Sequence, residues 1–179
     1  MKRSRTMALV LMGSSPLWLT ACGSTEPTLE EGLYTSVAEC AQQTGDRSSC
    51  ESAFAAAEKA HQEQAPRYAS RKDCEAEHGE GQCEEGSRER SSSFMPILAG
   101  YMMGRMMSGS NVTGLQSSPA FRNKYGGWER PAQAGERGMY RGGAPGRTAA
   151  TPIYMQPNQK PTISRGGFGG DSDRRSSGG

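Results

Sequence analysis

The sequence is poor in what most enzymes and most membrane-spanning proteins require. It holds two histidines, His61 and His78, in 179 residues. Neither sits in a triad or a metal-ligand spacing, so neither is a candidate general base. Apolar residues make up 34% of the chain and aromatics 7%, which points to a thin core. No apolar run reaches the roughly 20 residues that a spanning helix needs. The longest, Met7 to Leu19, is interrupted by Ser14, Ser15 and Pro16. Cysteine pairs at C-x-x-C or C-x₂₋₄-C spacing are also missing, which argues against a redox motif or a zinc site. No catalytic residue, metal or cofactor is expected, and the chain does not read as an enzyme.

What is present begins at the N-terminus. Lys2, Arg3 and Arg5 precede the apolar run, and the run closes on Leu19-Thr20-Ala21-Cys22. A charged start, a short apolar stretch and small residues before a cut site make an export signal. A cysteine directly after the cut has the bacterial lipobox arrangement. Residues 1–21 are therefore expected to be a lipoprotein signal peptide, and Cys22 the lipidation site, carrying acyl chains that tether the protein to a membrane. An ordinary cleaved signal, with Cys22 a bystander, is the bland alternative. Gly23 in place of an aspartate favours the outer membrane over the inner one, with the mature protein facing the periplasm.

Charge is divided along the chain. Residues 22–90 carry fifteen acids and seven bases, net −8, and residues 91–179 carry four acids and eleven bases, net +7. In the acidic half, after a linker over 22–33, two matched units lie 34 residues apart. Tyr34-Thr35-Ser36-Val37-Ala38-Glu39-Cys40 leads through Gly45 to Cys50, and Tyr68-Ala69-Ser70-Arg71-Lys72-Asp73-Cys74 leads through Gly79 to Cys83. Ser36 and Ser70, each three residues before an acid, have the form of helix N-caps, and Gly45 and Gly79 the form of helix ends. A longer helix is expected from Ser48-Ser49-Cys50-Glu51 to the stop at Pro66, with Phe54, Ala57 and His61 on one face. An even cysteine count in an exported chain argues for structural disulfides among Cys40, Cys50, Cys74 and Cys83. Of the three connectivities, the repeat favours the two local pairs. Residues 34–90 are thus expected to form a small α-helical, disulfide-stapled unit, with pseudo-repeats at 34–50 and 68–83.

Residues 94–107 are the most apolar stretch after the signal, and Pro96 suits the start of a short Met-rich helix. Three uses are open: it caps the thin core, it lies in the membrane interface, or it docks a partner through adaptable methionines. Met95, Ile97, Gly100, Tyr101, Met102, Gly104 and Met106 are the candidate docking residues. Residues 108–179 are rich in Gly, Ser, Pro and Arg with isolated aromatics, a composition expected of a disordered basic tail. Arg141-Gly142-Gly143 and Arg165-Gly166-Gly167 have the form of RNA-binding boxes, but an export signal removes nucleic acid from the expected partners.

The lipobox, the paired Tyr…Cys units, the stretches "APRYASRKDCEAEHGEGQC" and "FMPILAGYMMGRMM" and the late "ISRGGFGG" together resemble the YgiB-type family of enterobacterial envelope lipoproteins. The resemblance implies the same architecture of signal, acidic cysteine unit and Gly/Ser-rich end, and implies no activity. The expected fold is a mostly disordered chain around a small helical unit. The expected role is structural or interactive, with the membrane and an envelope protein as partners. The alternative is a periplasmic binding module in which the acidic unit holds a polyamine or metal ion.

Overall fold

The computed structural model describes residues 27–86, 93–142 and 147–165. Cys22 and the rest of the expected signal lie outside the described residues. The architecture overturns the expectation of a mostly disordered chain around a helical unit, because it is mainly β. Seven antiparallel strands form one sheet in the order β7-β8-β6-β5-β4-β1-β9, and β2 and β3 pair separately. In chain order the elements are β1 (Thr28–Tyr34), α1 (Val37–Thr44), α2 (Arg47–Gln64), α3 (Arg71–His78), β2 (Cys83–Gly86), β3 (Ser93–Pro96), β4 (Gly100–Ser108), β5 (Asn111–Arg122), β6 (Trp128–Pro131), β7 (Met139–Arg141), β8 (Thr148–Ile153) and β9 (Thr162–Arg165).

The helices form for local reasons visible in the chain. Ser36 Oγ accepts the Glu39 N–H at 3.1 Å, and Gly45 closes α1 in the left-handed region at φ 71°. Ser70 Oγ accepts the Asp73 N–H and donates to Asp73 Oδ2 at 2.7 Å. The long helix starts slightly earlier than Ser48. Asp46 is its cap, accepting the Ser49 N–H at 3.0 Å. Cys40 and Cys50 stand 5.9 Å apart at Cα, and Cys74 and Cys83 6.2 Å, both within the range a disulfide spans. The first pair clips α1 to the start of α2, and the second clips α3 to β2.

The segment 94–107 is not a helix. Its first residues belong to β3 and its last to β4, with a break at residues 97–99. A period of two replaces the helical period. Tyr101, Met103 and Arg105 point toward α1 and α2, while Met102, Gly104 and Met106 point to the opposite face. Two glycines four residues apart weaken a helix, and in β4 Gly100 allows close approach. A Cβ on Gly100 would lie 2.7 Å from the Tyr34 carbonyl oxygen. Pro96 ends β3, where its carbonyl accepts from His61 Nε2 at 2.7 Å.

The expected linker and tail are also in the sheet. Residues 28–33, placed in the linker by composition, are most of β1, which sits between β4 and β9. Residues 111–165, placed in the tail, supply β5 to β9. Their buried hydrophobic anchors are few: Ala120, Phe121, Ala150 and Ile153. Main-chain pairing supplies order that apolar composition does not suggest. Pro119 is tolerated in β5 because β6 pairs only with Phe121 and Arg122, leaving that flank of Pro119 unpaired.

The core lies between the sheet and the first two helices, where Tyr34, Tyr101 and Met103 pack on the Cys40–Cys50 pair, Ala53 and Ala57. The helical unit therefore shares its core with strands that come later in the chain. On the other face Leu33, Ala120 and Ile153 are covered by Met102, Trp128 and Met155. The segment between β8 and β9 crosses this face. Asn158 fixes it there, donating its N–H to the Leu33 carbonyl at 2.8 Å and accepting the Thr35 N–H at 2.9 Å.

Candidate functional site

Strand alternation divides the candidate docking residues. Met95, Gly100 and Tyr101 are buried, and Ile97 is partly buried. The three buried residues hold the fold together and are not available to a partner. Met102, Gly104 and Met106 lie together on the sheet face away from α1 and α2. Beside them stand Leu29 and Glu31 from β1, and Gln116 and Ser118 from β5. Met102, Gly104 and Met106, expected on a helical surface, are brought by the strand into one row.

This face contains a hollow of about 320 Å³, lined by Leu29, Glu31, Met102, Gly104, Gln116 and, at its far wall, Arg130 and Glu136. Gly104 forms the floor. A Cβ there would meet Leu29, Glu31 and Gln116 at 3.7–3.9 Å, ordinary contact distances, so a larger side chain would fill the hollow without displacing backbone. Arg130 grips Glu136 with two bonds of 2.8 and 2.7 Å. That grip, with the Gln133 N–H, holds the Glu136 carboxyl down at about 2. Glu31 has no ion-pair or hydrogen-bond partner among the described residues. It also borders a second hollow of about 200 Å³ with Leu33, Met155 and Lys160. A third, of about 410 Å³, follows along Met155, Tyr154 and Trp128, with the Arg122 guanidinium 4.6 Å above the Trp128 ring. The first and second share Glu31, the second and third share Tyr154 and Met155, and together they make a broken groove along the face left uncovered by α1 and α2.

A second polar grouping lies under α3 and is closed on itself. His78 Nδ1 donates to the Arg122 carbonyl at 2.8 Å, and Tyr68 Oη stands 2.8 Å from His78 Nε2 and 2.7 Å from Glu77 Oε2. Arg141 grips the fully buried Glu129 with bonds of 2.6 and 3.0 Å, and Asn123 Nδ2 donates to the same carboxylate at 3.0 Å. Burial pushes the Glu129 carboxyl up, but the Arg141 and Asn123 bonds outweigh it and leave it below the ordinary range. Burial holds His78 and His61 below the ordinary histidine value. These bonds tie α3 to β5, and through the Arg141–Glu129 pair they reach β6 and β7. Residue order gave no sign of it, because its members come from five separated stretches of chain.

The acids of the helical unit do not converge. Among the described residues no three His, Cys, Asp or Glu side chains are grouped to hold a metal ion. The carboxylates nearest the core are already matched: Glu30 and Asp46 by the buried Arg105 at 2.6 and 3.4 Å, and Glu129 by Arg141. No helix among the described residues is long and apolar enough to cross a membrane.

The fold and its groove define a small antiparallel-sheet protein, clipped at two cysteine pairs. Residues 28–179 match the DUF1190 family, described as a protein of unknown function, and the chain belongs to that family. It is similar to the UPF0441 protein of Erwinia tasmaniensis, 34% identical over 90% of this chain and 78% of that one. It is similar also to the UPF0441 protein of Klebsiella pneumoniae, 34% identical over 84% and 74%, and to that of Yersinia pestis, 31% identical over 98% and 85%. No solved structure matches the chain.

Proposed function

We propose that this chain is a YgiB-type, lipid-anchored protein of the bacterial envelope that acts by docking another envelope protein on its uncovered sheet face. The export-type start with Cys22 supports the anchor, and Gly23 supports the outer membrane. The observation that carries the docking role is the hollow over Gly104, with Leu29 and Met102 on its walls and the unpartnered Glu31 at its edge. Its chemistry fits an extended segment that sets an apolar side chain between Leu29 and Met102 and a basic group against Glu31. Methionine at the wall lets the pocket adapt to its occupant. A polyamine or metal ion held by the acidic unit is less well supported, because its described acids do not converge on one point and Asp46, the one beside the core, already pairs with Arg105.

Photocrosslinking in intact cells tests this. A photoreactive residue replacing Gln116 on the groove is expected to give one discrete protein adduct, and the same residue replacing the exposed Glu58 on α2 none. Adducts of equal yield from both positions would overturn the docking role of this face.

A further inference from the structure

We infer that the tip of the β4–β5 hairpin sits in the lipid surface beside the anchor, as a second membrane contact. This rests on the reading of Cys22 as acylated. β4 and β5 meet in a two-residue turn at Gly109 and Ser110, where Gly109 takes φ +60°. Four large apolar side chains are exposed at this end of the sheet: Met106 at 41%, Val112 at 40%, Leu115 at 38% and Ile163 at 58%. From Met106 to Phe121 the chain carries no charged residue. Met106 pairs with Leu29 and points to the uncovered face. Met107, its register partner Val112, and Leu115 opposite Arg105 point to the other. A ribbon that is apolar on both faces is not covered by one flat protein surface. A fluid apolar phase covers both faces at once.

The position of the anchor supplies the second line of support. β1 begins at this same end: Thr28 pairs with Met107, beside the turn. Cys22 precedes Thr28 by six residues, which span at most about 22 Å even when fully extended. An acylated Cys22 therefore brings the lipid surface within reach of the hairpin. The arrangement is a two-signal anchor, in which covalent lipid and a short apolar tip share one end of the molecule.

The full-length protein, purified in its processed form and mixed with phosphatidylethanolamine–phosphatidylglycerol vesicles, tests this. Ser110→Trp places an indole at the tip, and Trp128 in β6 serves as the internal reference. With dibrominated acyl chains in the vesicles, the expected result is loss of emission from the new indole and none from the parent protein. Adding Val112→Asp to Ser110→Trp is expected to restore the emission. Intact mass and vesicle flotation report the anchor separately. A processed protein without acyl chains on Cys22 overturns the anchor reading and this inference with it. An acylated, floating protein whose new indole is not quenched overturns the inference alone, and assigns the tip to a protein partner or to water. Quenching that survives Val112→Asp reflects proximity without insertion, and also overturns it.

Discussion

Replacing Tyr101 by phenylalanine should stabilise this protein, against the usual direction for a buried tyrosine. Tyr34 and Tyr101 are both fully buried, with ring centroids 6.0 Å apart, and Phe54 meets Tyr101 edge-on at 5.5 Å. Neither hydroxyl has a hydrogen-bond partner among the described residues. A buried hydroxyl left without a partner costs about 1–3 kcal/mol, and its removal recovers most of that. The small gap left by one oxygen forfeits roughly a few tenths of a kcal/mol of dispersion. The net expectation for Tyr101→Phe at pH 7 is a gain of about 1 kcal/mol, or roughly 3 °C in Tm for a chain of this size. The gain should grow in alkali. Burial pushes the Tyr101 hydroxyl up to about 12 from an ordinary 10.0, so the folded state keeps its proton where the unfolded state loses it. Wild-type stability is then complete below pH 10 and lost as pH rises toward 12, by up to about 2–3 kcal/mol, and the variant escapes that loss. Urea unfolding followed by Trp128 fluorescence and far-ultraviolet dichroism reads both effects, with an unchanged m value as the check on two-state behaviour. A loss of 1 kcal/mol or more at pH 7 would refute the reasoning, because it would mean that the hydroxyl is hydrogen-bonded.

Three further expectations use the same assay. Reducing the Cys40–Cys50 pair, or replacing both by serine, should cost about 2.7 kcal/mol in the chain-entropy picture, and an unchanged urea midpoint in reductant would contradict a disulfide there. Arg141→Met should cost about 3–5 kcal/mol, because it strands the fully buried Glu129 carboxylate; a variant as stable as wild type would show that the grip is not needed. Acid should weaken the fold early: burial holds His61 and His78 below the ordinary 6.5, so the unfolded chain takes up protons first. Stability is then present above pH 6.5 and lost as pH falls through the acid range below it. A flat profile over that window would remove the histidines from the account.

The parts of the molecule that were legible in the sequence are those governed by neighbours in the chain. Ser36, Ser70 and Gly45 act within one turn of helix, and a reader can see both the cap and the group it caps. The strands were not legible because their evidence is non-local. In 100–107 the two faces carry Tyr, Met and Arg against Met, Gly and Met, so period-two alternation is hidden among residues of similar hydropathy. In 111–165 the composition matches that of a disordered tail. Those strands are ordered by pairing with β1 and β4, and by small buried residues such as Ala120 and Ala150, which carry almost no hydropathic signal. The groove shares this origin. Leu29, Gly104 and Gln116 are far apart in the chain and become neighbours only through the register of β1, β4 and β5.

Deleting 94–107 would remove the middle of the sheet, so the docking role has to be tested by filling the groove. Gly104→Arg places a long side chain in the hollow, at a position where the backbone is ordinary and the nearest side chains stand 3.7 Å or more from a Cβ. The decisive measurement is the Gln116 crosslink in intact cells with and without this substitution, with the urea midpoint measured in parallel. The account predicts that the adduct disappears while the midpoint stays within about 1 kcal/mol of wild type. An adduct of unchanged yield on a protein with its groove filled would contradict it.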